Sequence, residues 1–185
     1  KRYLKPDDAL QICHGLRAQL GAACPLLVGV FVNEVVGTVS AITRKVGLNY
    51  AQLCGDESVE MLRELRGIGF KVVRPVNVAQ ADDDLRYYAD AMPADVRIPS
   101  LLLDAHQAGE YGGTGRTASN EVAAFLAANL PRLMLAGGLT PDNVALHIAA
   151  VRPWGVDTAS GVEGDTPGRK DAAKVRAFIA AALDA

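Results

Sequence analysis

Six short aliphatic runs alternate with amphipathic stretches along the 185 residues, and this alternation constrains the fold more than any other feature. "LLVGVFVN" (26–33) is β-branched and apolar, the pattern of a strand buried on both faces. "NYAQLCG" (49–55), "GFKVVRPVNV" (69–78), "IPSLLLDA" (98–105), "PRLMLAGGL" (131–139) and "PWGVDTASG" (153–161) read as five more strands. Helical spacing follows each of them, over 34–47, 58–67, 80–92, 119–130, 140–151 and 171–184. One further helix, 6–21, precedes the first strand. Gly47 suits a C-cap, Ser58 an N-cap, and Thr140 with Pro141 an N-cap and first helical position.

Strict βα alternation with short loops means a parallel sheet with right-handed crossovers. Two architectures satisfy it: an open doubly wound sheet, or six-eighths of a (β/α)₈ TIM barrel. A complete barrel needs about 30 residues per βα unit. This chain is shorter than that and opens on "KRYLKPDDA", with no initiator methionine and no strand ahead of the first helix. A barrel lacking its first strand, first helix and second strand fits both facts. No composition break marks a second domain, so residues 1–185 read as one domain.

Half the residues are apolar and only 5% aromatic, so the core is aliphatic. A formal net charge of -2 gives no support for a nucleic-acid surface, and no apolar run is long enough for a membrane span. Cys13, Cys24 and Cys54 share no metal-type spacing, and a reduced cytoplasmic setting is the default expectation.

In parallel α/β folds the reactive groups lie at the carboxyl ends of the strands. Those positions hold Asn33, Cys54-Gly55-Asp56, Asn77, Asp104, "AGGLT" (136–140) and "DTASGVEG" (157–164). The first of the last two puts two glycines at a strand end before a helix start, and the second puts Ser and Gly at the next strand end. Such glycines let backbone N–H groups approach an anion, and phosphate binding is the expected use; the plainer alternative is a pair of tight turns. Asp104 ends a buried strand, which suits a general acid or base, although Asp also serves turns and caps. Asp157 could be a second acid/base group or a structural anchor. "EYGGTGRT" (110–117) is a Gly-rich loop placed to fold over a ligand, but it lacks the Walker spacing and ending, which excludes a nucleoside-triphosphate loop. Lys1 and Arg2 alone read as a solvated basic pair.

With these residues in hand, the whole chain resembles the phosphoribosylanthranilate isomerases of tryptophan biosynthesis. The resemblance rests on "KRYLKPDDA" (1–9), "VGVFVNE" (28–34), "AQLCGDES" (51–58), "LLLDA…YGGTGRT" (101–117), "LAGGLTPDNV" (136–144) and "VRPWGVDTASGVEG…PGRKD" (151–171), in that order. It implies a (β/α)₈ barrel and an Amadori rearrangement. N-(5-phosphoribosyl)anthranilate would become 1-(2-carboxyphenylamino)-1-deoxyribulose 5-phosphate, with no metal or organic cofactor. The resemblance makes Asp104 the general acid and Arg2 the holder of the anthranilate. Gly137, Gly138, Ser160 and Gly161 become the phosphate grip, and Gly113 and Asp157 join the substrate-binding set. It also implies no nucleic-acid or membrane partner. A monomer or homodimer is expected, and fusion to or association with another tryptophan-pathway enzyme stays open.

The resemblance places "KRY" in the loop after the second strand of the family's barrel. About 35 residues would then precede it, on the order of one βα unit plus a strand. They would include a "KICG"-type motif whose cysteine is the family's general base, and that residue is absent from this sequence. The listless look-alike "QICHG" (11–15) falls inside the helical stretch 6–21, so Cys13 is expected to be a buried helix residue and His14 a surface one. The 185 residues alone are therefore expected to lack isomerase activity. Departures from the family pattern are Cys54 in place of His, "RPVNV" (74–78) in place of a Lys-Ala pair, "GRTASN" (115–120) without the usual aromatic segment, and Ala159 in a Ser position. Two other readings remain at this point: a non-catalytic truncated barrel acting as a binding or assembly partner, and another phosphosugar isomerase or synthase of the same fold.

Overall fold

The computed structural model describes residues 3–104 and 120–185. They form two compact units, one comprising residues up to Val72 together with Ala91–Asp95, the other Val73–Asp90 with Val96–Ala185. Each is an α/β assembly of parallel strands and helices.

The first unit contains α1 (Pro6–Leu20), β1 (Val28–Phe31), α2 (Val36–Val46), β2 (Tyr50–Leu53), α3 (Val59–Glu64) and most of β3 (Gly69–Val73). Its strands lie in the order β1-β2-β3, paired parallel, with Val30 opposite Gln52 and Gln52 opposite Phe70. Every residue of β3 is buried, including Lys71. The expected caps are present. Gly47 ends α2 in the left-handed conformation, and the Ser58 hydroxyl accepts from the Met61 N–H at the start of α3.

Burial on both faces of β1 was the expectation, and the structure corrects it. Phe31 is buried, but Val28, Val30 and Val32 are 38%, 64% and 59% exposed. A strand sends alternate side chains to opposite faces, and among the described residues β1 pairs with β2 alone. Helix α1 carries Cys13 as its one buried residue and leaves His14 exposed, as the helical reading of "QICHG" requires.

The second unit contains α4 (Val78–Tyr88), β4 (Leu101–Asp104), α5 (Asn120–Asn129), β5 (Leu133–Ala136), α6 (Val144–Val151), β6 (Gly155–Val156) and α7 (Ala172–Leu183). Its strands run β4-β5-β6, again parallel, with Asp104 opposite Ala136 and Leu135 opposite Val156. Leu101, Leu102, Leu103, Leu126, Leu133 and Leu139 are almost wholly buried and make its aliphatic core. Burying one such side chain contributes about 1.5–3 kcal/mol.

Several expected boundaries differ. The strand expected over 69–78 ends at Val73, and α4 starts at Val78, where the Asn77 side chain caps it, and ends at Tyr88. Helix α6 begins at Val144, with Asn143 at the cap position rather than Thr140. The Asn143 side chain folds back instead, accepting from the Thr140 N–H at 2.8 Å and donating to the Gly138 carbonyl at 3.0 Å. That exchange makes 137–143 a loop. Strand β6 covers only two of the nine residues expected, because Ser160–Val162 turn into a 3-10 helix. No described helix is long and apolar enough to cross a membrane.

Candidate active site

Strand β4 is a run of three buried leucines ending on a carboxylate. Its hydrogen-bonded register with β5 fixes the position of the Asp104 backbone. The Asp104 side chain is 24% exposed, and its Oδ2 accepts from two nitrogens of Arg74, Nε at 3.1 Å and Nη2 at 3.1 Å. Asp157 follows β6, where its N–H donates to the Leu135 carbonyl of β5 at 2.8 Å. Burial pushes the Asp157 carboxyl above the ordinary carboxylate range. The negative charge of Asp104 pushes the same way, and Lys170 opposes them. The second unit thus brings Asp104 and Asp157 into one electrostatic neighbourhood.

A stability consequence follows, with the sign set by the raised pKa. The fold favours the protonated Asp157, so its contribution is fully present in acid. It is lost as the pH climbs past the ordinary value of 3.8 and through the raised one. Asp157→Asn should therefore be more stable than the parent at pH 7, the gap closing on acidification. Denaturant titrations at both pH values test this, and an Asn variant that is less stable at pH 7 would refute it.

The two glycine-bearing strand ends also belong to this unit, and Leu139 joins them. Gly137 and Gly138 have φ of 93° and 69°, the left-handed region that favours glycine. They turn the chain so that the Leu139 carbonyl accepts from the Thr158 hydroxyl at 2.7 Å. Gly161 packs against the same carbonyl. A Cβ there would sit 1.9 Å from the Leu139 oxygen, so no side chain fits without moving the loop. Ser160 and Gly161 open a 3-10 turn, whose first N–H groups have no acceptor within the helix itself. Lys170 braces this loop, donating to the Ala159 carbonyl and pairing with the buried Glu163 at 3.1 Å. Lys174 adds a bond to the Glu163 carbonyl at 2.8 Å. A concave run of backbone amides beside a lysine can hold an anion.

Residues 3–181 match the family model described as N-(5'phosphoribosyl)anthranilate (PRA) isomerase. The chain belongs to the PRA isomerase family. A Roseiflexus sp. (strain RS-1) protein named N-(5'-phosphoribosyl)anthranilate isomerase is 43% identical over 184 residues, taking in 98% of this chain and 82% of that protein. The crystal structure of phosphoribosyl anthranilate isomerase from Thermotoga maritima superposes with a TM-score of 0.82 at 34% identity. That alignment covers 99% of this chain and 82% of that one. Another PRA isomerase structure holds reduced 1-(o-carboxyphenylamino)-1-deoxyribulose 5-phosphate. It matches with a TM-score of 0.76 at 30% identity, over 99% of this chain and 81% of its own.

Of the candidate residues drawn from the sequence, Asp104, Gly137, Gly138, Asp157, Ser160 and Gly161 all lie in the second unit of this PRA isomerase. Arg2, Gly113 and the loop 110–117 lie outside the described residues. Asn77 is a helix cap, its side chain accepting from the Gln80 N–H at 2.9 Å. Asn33 and Gly55 belong to the first unit, where they surround a buried ion pair. Lys71 Nζ stands 2.9 Å from Glu57 Oε2, with side chains only 4% and 2% exposed. Glu57 Oε1 accepts from the Asn33 N–H at 2.8 Å and the Gly55 N–H at 3.1 Å. Lys71 also donates to the Gly55 carbonyl, and Asn33 Oδ1 accepts from the Asp56 N–H.

Sequence reasoning missed Glu57, Lys71, Arg74, Thr158, Glu163 and Lys170. For Lys71 a signal existed, since a lysine in the middle of an apolar strand needs a partner once buried. For the others no local pattern announces the partner: Arg74 meets Asp104 across 30 positions and Thr158 reaches back 19 to the Leu139 carbonyl.

Proposed function

We propose that Asp104 and the loops after β5 and β6 are the working parts of this isomerase. The activity is that of the family, the isomerisation of N-(5'-phosphoribosyl)anthranilate in tryptophan biosynthesis. One observation carries the assignment of parts. Asp104 closes β4, and the glycine loops follow β5, which pairs with β4, and β6, which pairs with β5, so three consecutive parallel strands carry an acid and an anion cradle at their carboxyl ends. In this reading the 5'-phosphate sits on the amides of Gly137, Gly138, Ser160 and Gly161. Lys170, holding the Ala159 carbonyl, supplies positive charge nearby.

Asp104 then donates its proton to the ribose ring oxygen, and the ring opens to a Schiff base. A general base, which is none of the residues named here, takes the C2 proton to give an enolamine, and this tautomerises to the ketose. Bond changes balance within the one substrate, so the step needs acid and base groups in position and nothing to oxidise or reduce. In this reading Asp157 and Gly113 belong to the substrate-binding set, and Arg2 holds the anthranilate. Cys13, buried in α1, has no part in the chemistry. The full architecture in this reading is the (β/α)₈ barrel with one domain across 1–185. The protein works as a monomer or homodimer in the cytoplasm, a compartment that suits cysteines which form no disulfide among the described residues.

The phosphate cradle is tested by Gly161→Ala. A methyl group against the Leu139 carbonyl must displace the loop. Affinity for inorganic phosphate or a phosphosugar analogue should fall by about tenfold or more, the order of one lost charge-assisted hydrogen bond. Gly138→Ala should do less, because its Cβ would meet open space and only the left-handed backbone is strained. Calorimetric titration measures both, and unchanged phosphate binding in Gly161→Ala would remove the cradle from this loop.

A further inference from the structure

We propose that Arg74 is a positioning residue for this reaction, acting through Asp104 rather than on the substrate. The inference rests on the reading of Asp104 as the acid. Two contacts from Arg74, through Nε and Nη2, fall on one oxygen of Asp104, Oδ2, at 3.1 Å each. A planar guanidinium gripping one oxygen with two N–H groups restrains the plane of the carboxyl and directs its other oxygen, Oδ1, to a set orientation. An aspartate at the end of a strand otherwise turns about its side-chain bonds. A misplacement of about 1 Å at an acid can cost 10²-fold in rate.

The backbone under Arg74 is suited to the task. Arg74 precedes Pro75, which is buried. Proline fixes its own φ and confines the preceding residue to extended conformations, so the guanidinium projects from a stiff step instead of a flexible loop. The Val76 N–H is held by Gln80 Oε1 at 3.0 Å, and Asn77 caps α4, so the segment after Pro75 is also fastened.

The test is a double-mutant cycle in the full-length enzyme, with Arg74→Ala, Asp104→Asn and the pair. Arg74 is 39% exposed on its side chain, so its removal should leave the fold intact. Arg74→Ala should lower kcat by about 10- to 100-fold with KM within about threefold of the parent, the pattern of a lost transition-state contact. Added methylguanidinium should restore part of the lost kcat, and Arg74→Lys should retain part of it. On the Asp104→Asn background, Arg74→Ala should cost nothing further. Equal costs on both backgrounds, or a raised KM at unchanged kcat, would overturn the proposal and make Arg74 a substrate contact. An inactive Asp104→Asn beside a fully active Arg74→Ala would refute it while leaving the acid in place. Full activity in Asp104→Asn would instead overturn the assignment of the acid, and this inference with it.

Discussion

Asp104→Asn in the full-length enzyme should lower kcat by about 10²–10⁴, the usual worth of a positioned acid. The substitution keeps the shape of the side chain and removes the proton it would deliver. The β4 register and the buried leucines before it are untouched, so the fold should hold. KM should move far less than kcat, because the amides assigned to the phosphate belong to other loops. Steady-state kinetics with a thermal melt of each protein decide the matter. Near-normal turnover would move the acid elsewhere. Asp157 would be the next candidate, since burial already holds its proton more tightly than usual.

Lys71→Met should destabilise the protein by about 3–5 kcal/mol, the cost of stranding the partner of a buried ion pair. Glu57 would keep the N–H donors of Asn33 and Gly55 but lose the cation 2.9 Å away. Burial works against its charge. In the parent, donation from Lys71 and from the Asn33 N–H outweighs that and holds its carboxyl below the ordinary range. With a lowered pKa, this stabilisation is complete above the unfolded value and is lost as the pH falls through the ordinary range and below it. The parent should therefore lose stability in acid, and Lys71→Met should lose much less over the same interval. Replacing both charges, Lys71→Met with Glu57→Gln, should recover much of the loss, because the amide oxygen can still accept from the Asn33 and Gly55 N–H groups. Chemical denaturation across acid and neutral pH measures all three. A loss below about 1 kcal/mol in Lys71→Met would show the pair behaving as a solvated surface bridge.

The sequence by itself determined the alternation of strand and helix, the identity of most caps, and the short list of strand-end groups. These are local properties. Periodicity of 2 or 3.6, Ser58 before an apolar helix, Gly47 after one and a buried run ending in Asp104 each depend on residues within a few positions. Local reasoning failed where a side chain found a distant partner. Thr140 and Pro141 carry a proper helix-start signal, yet the Asn143 amide bridges Thr140 and Gly138 and delays the helix to Val144. The long strand expected at 153–161 shrinks to Gly155–Val156 because Thr158 and Gly161 are drawn onto the Leu139 carbonyl. The run 26–33 has the composition of a fully buried strand, but composition cannot say which neighbours arrive, and one face of β1 stays exposed. The pairing of Lys71 with Glu57 and of Arg74 with Asp104 likewise spans 14 and 30 positions. A charged residue states in sequence only that it needs a partner; which one it meets is decided by the packing of strands that bring the two within reach.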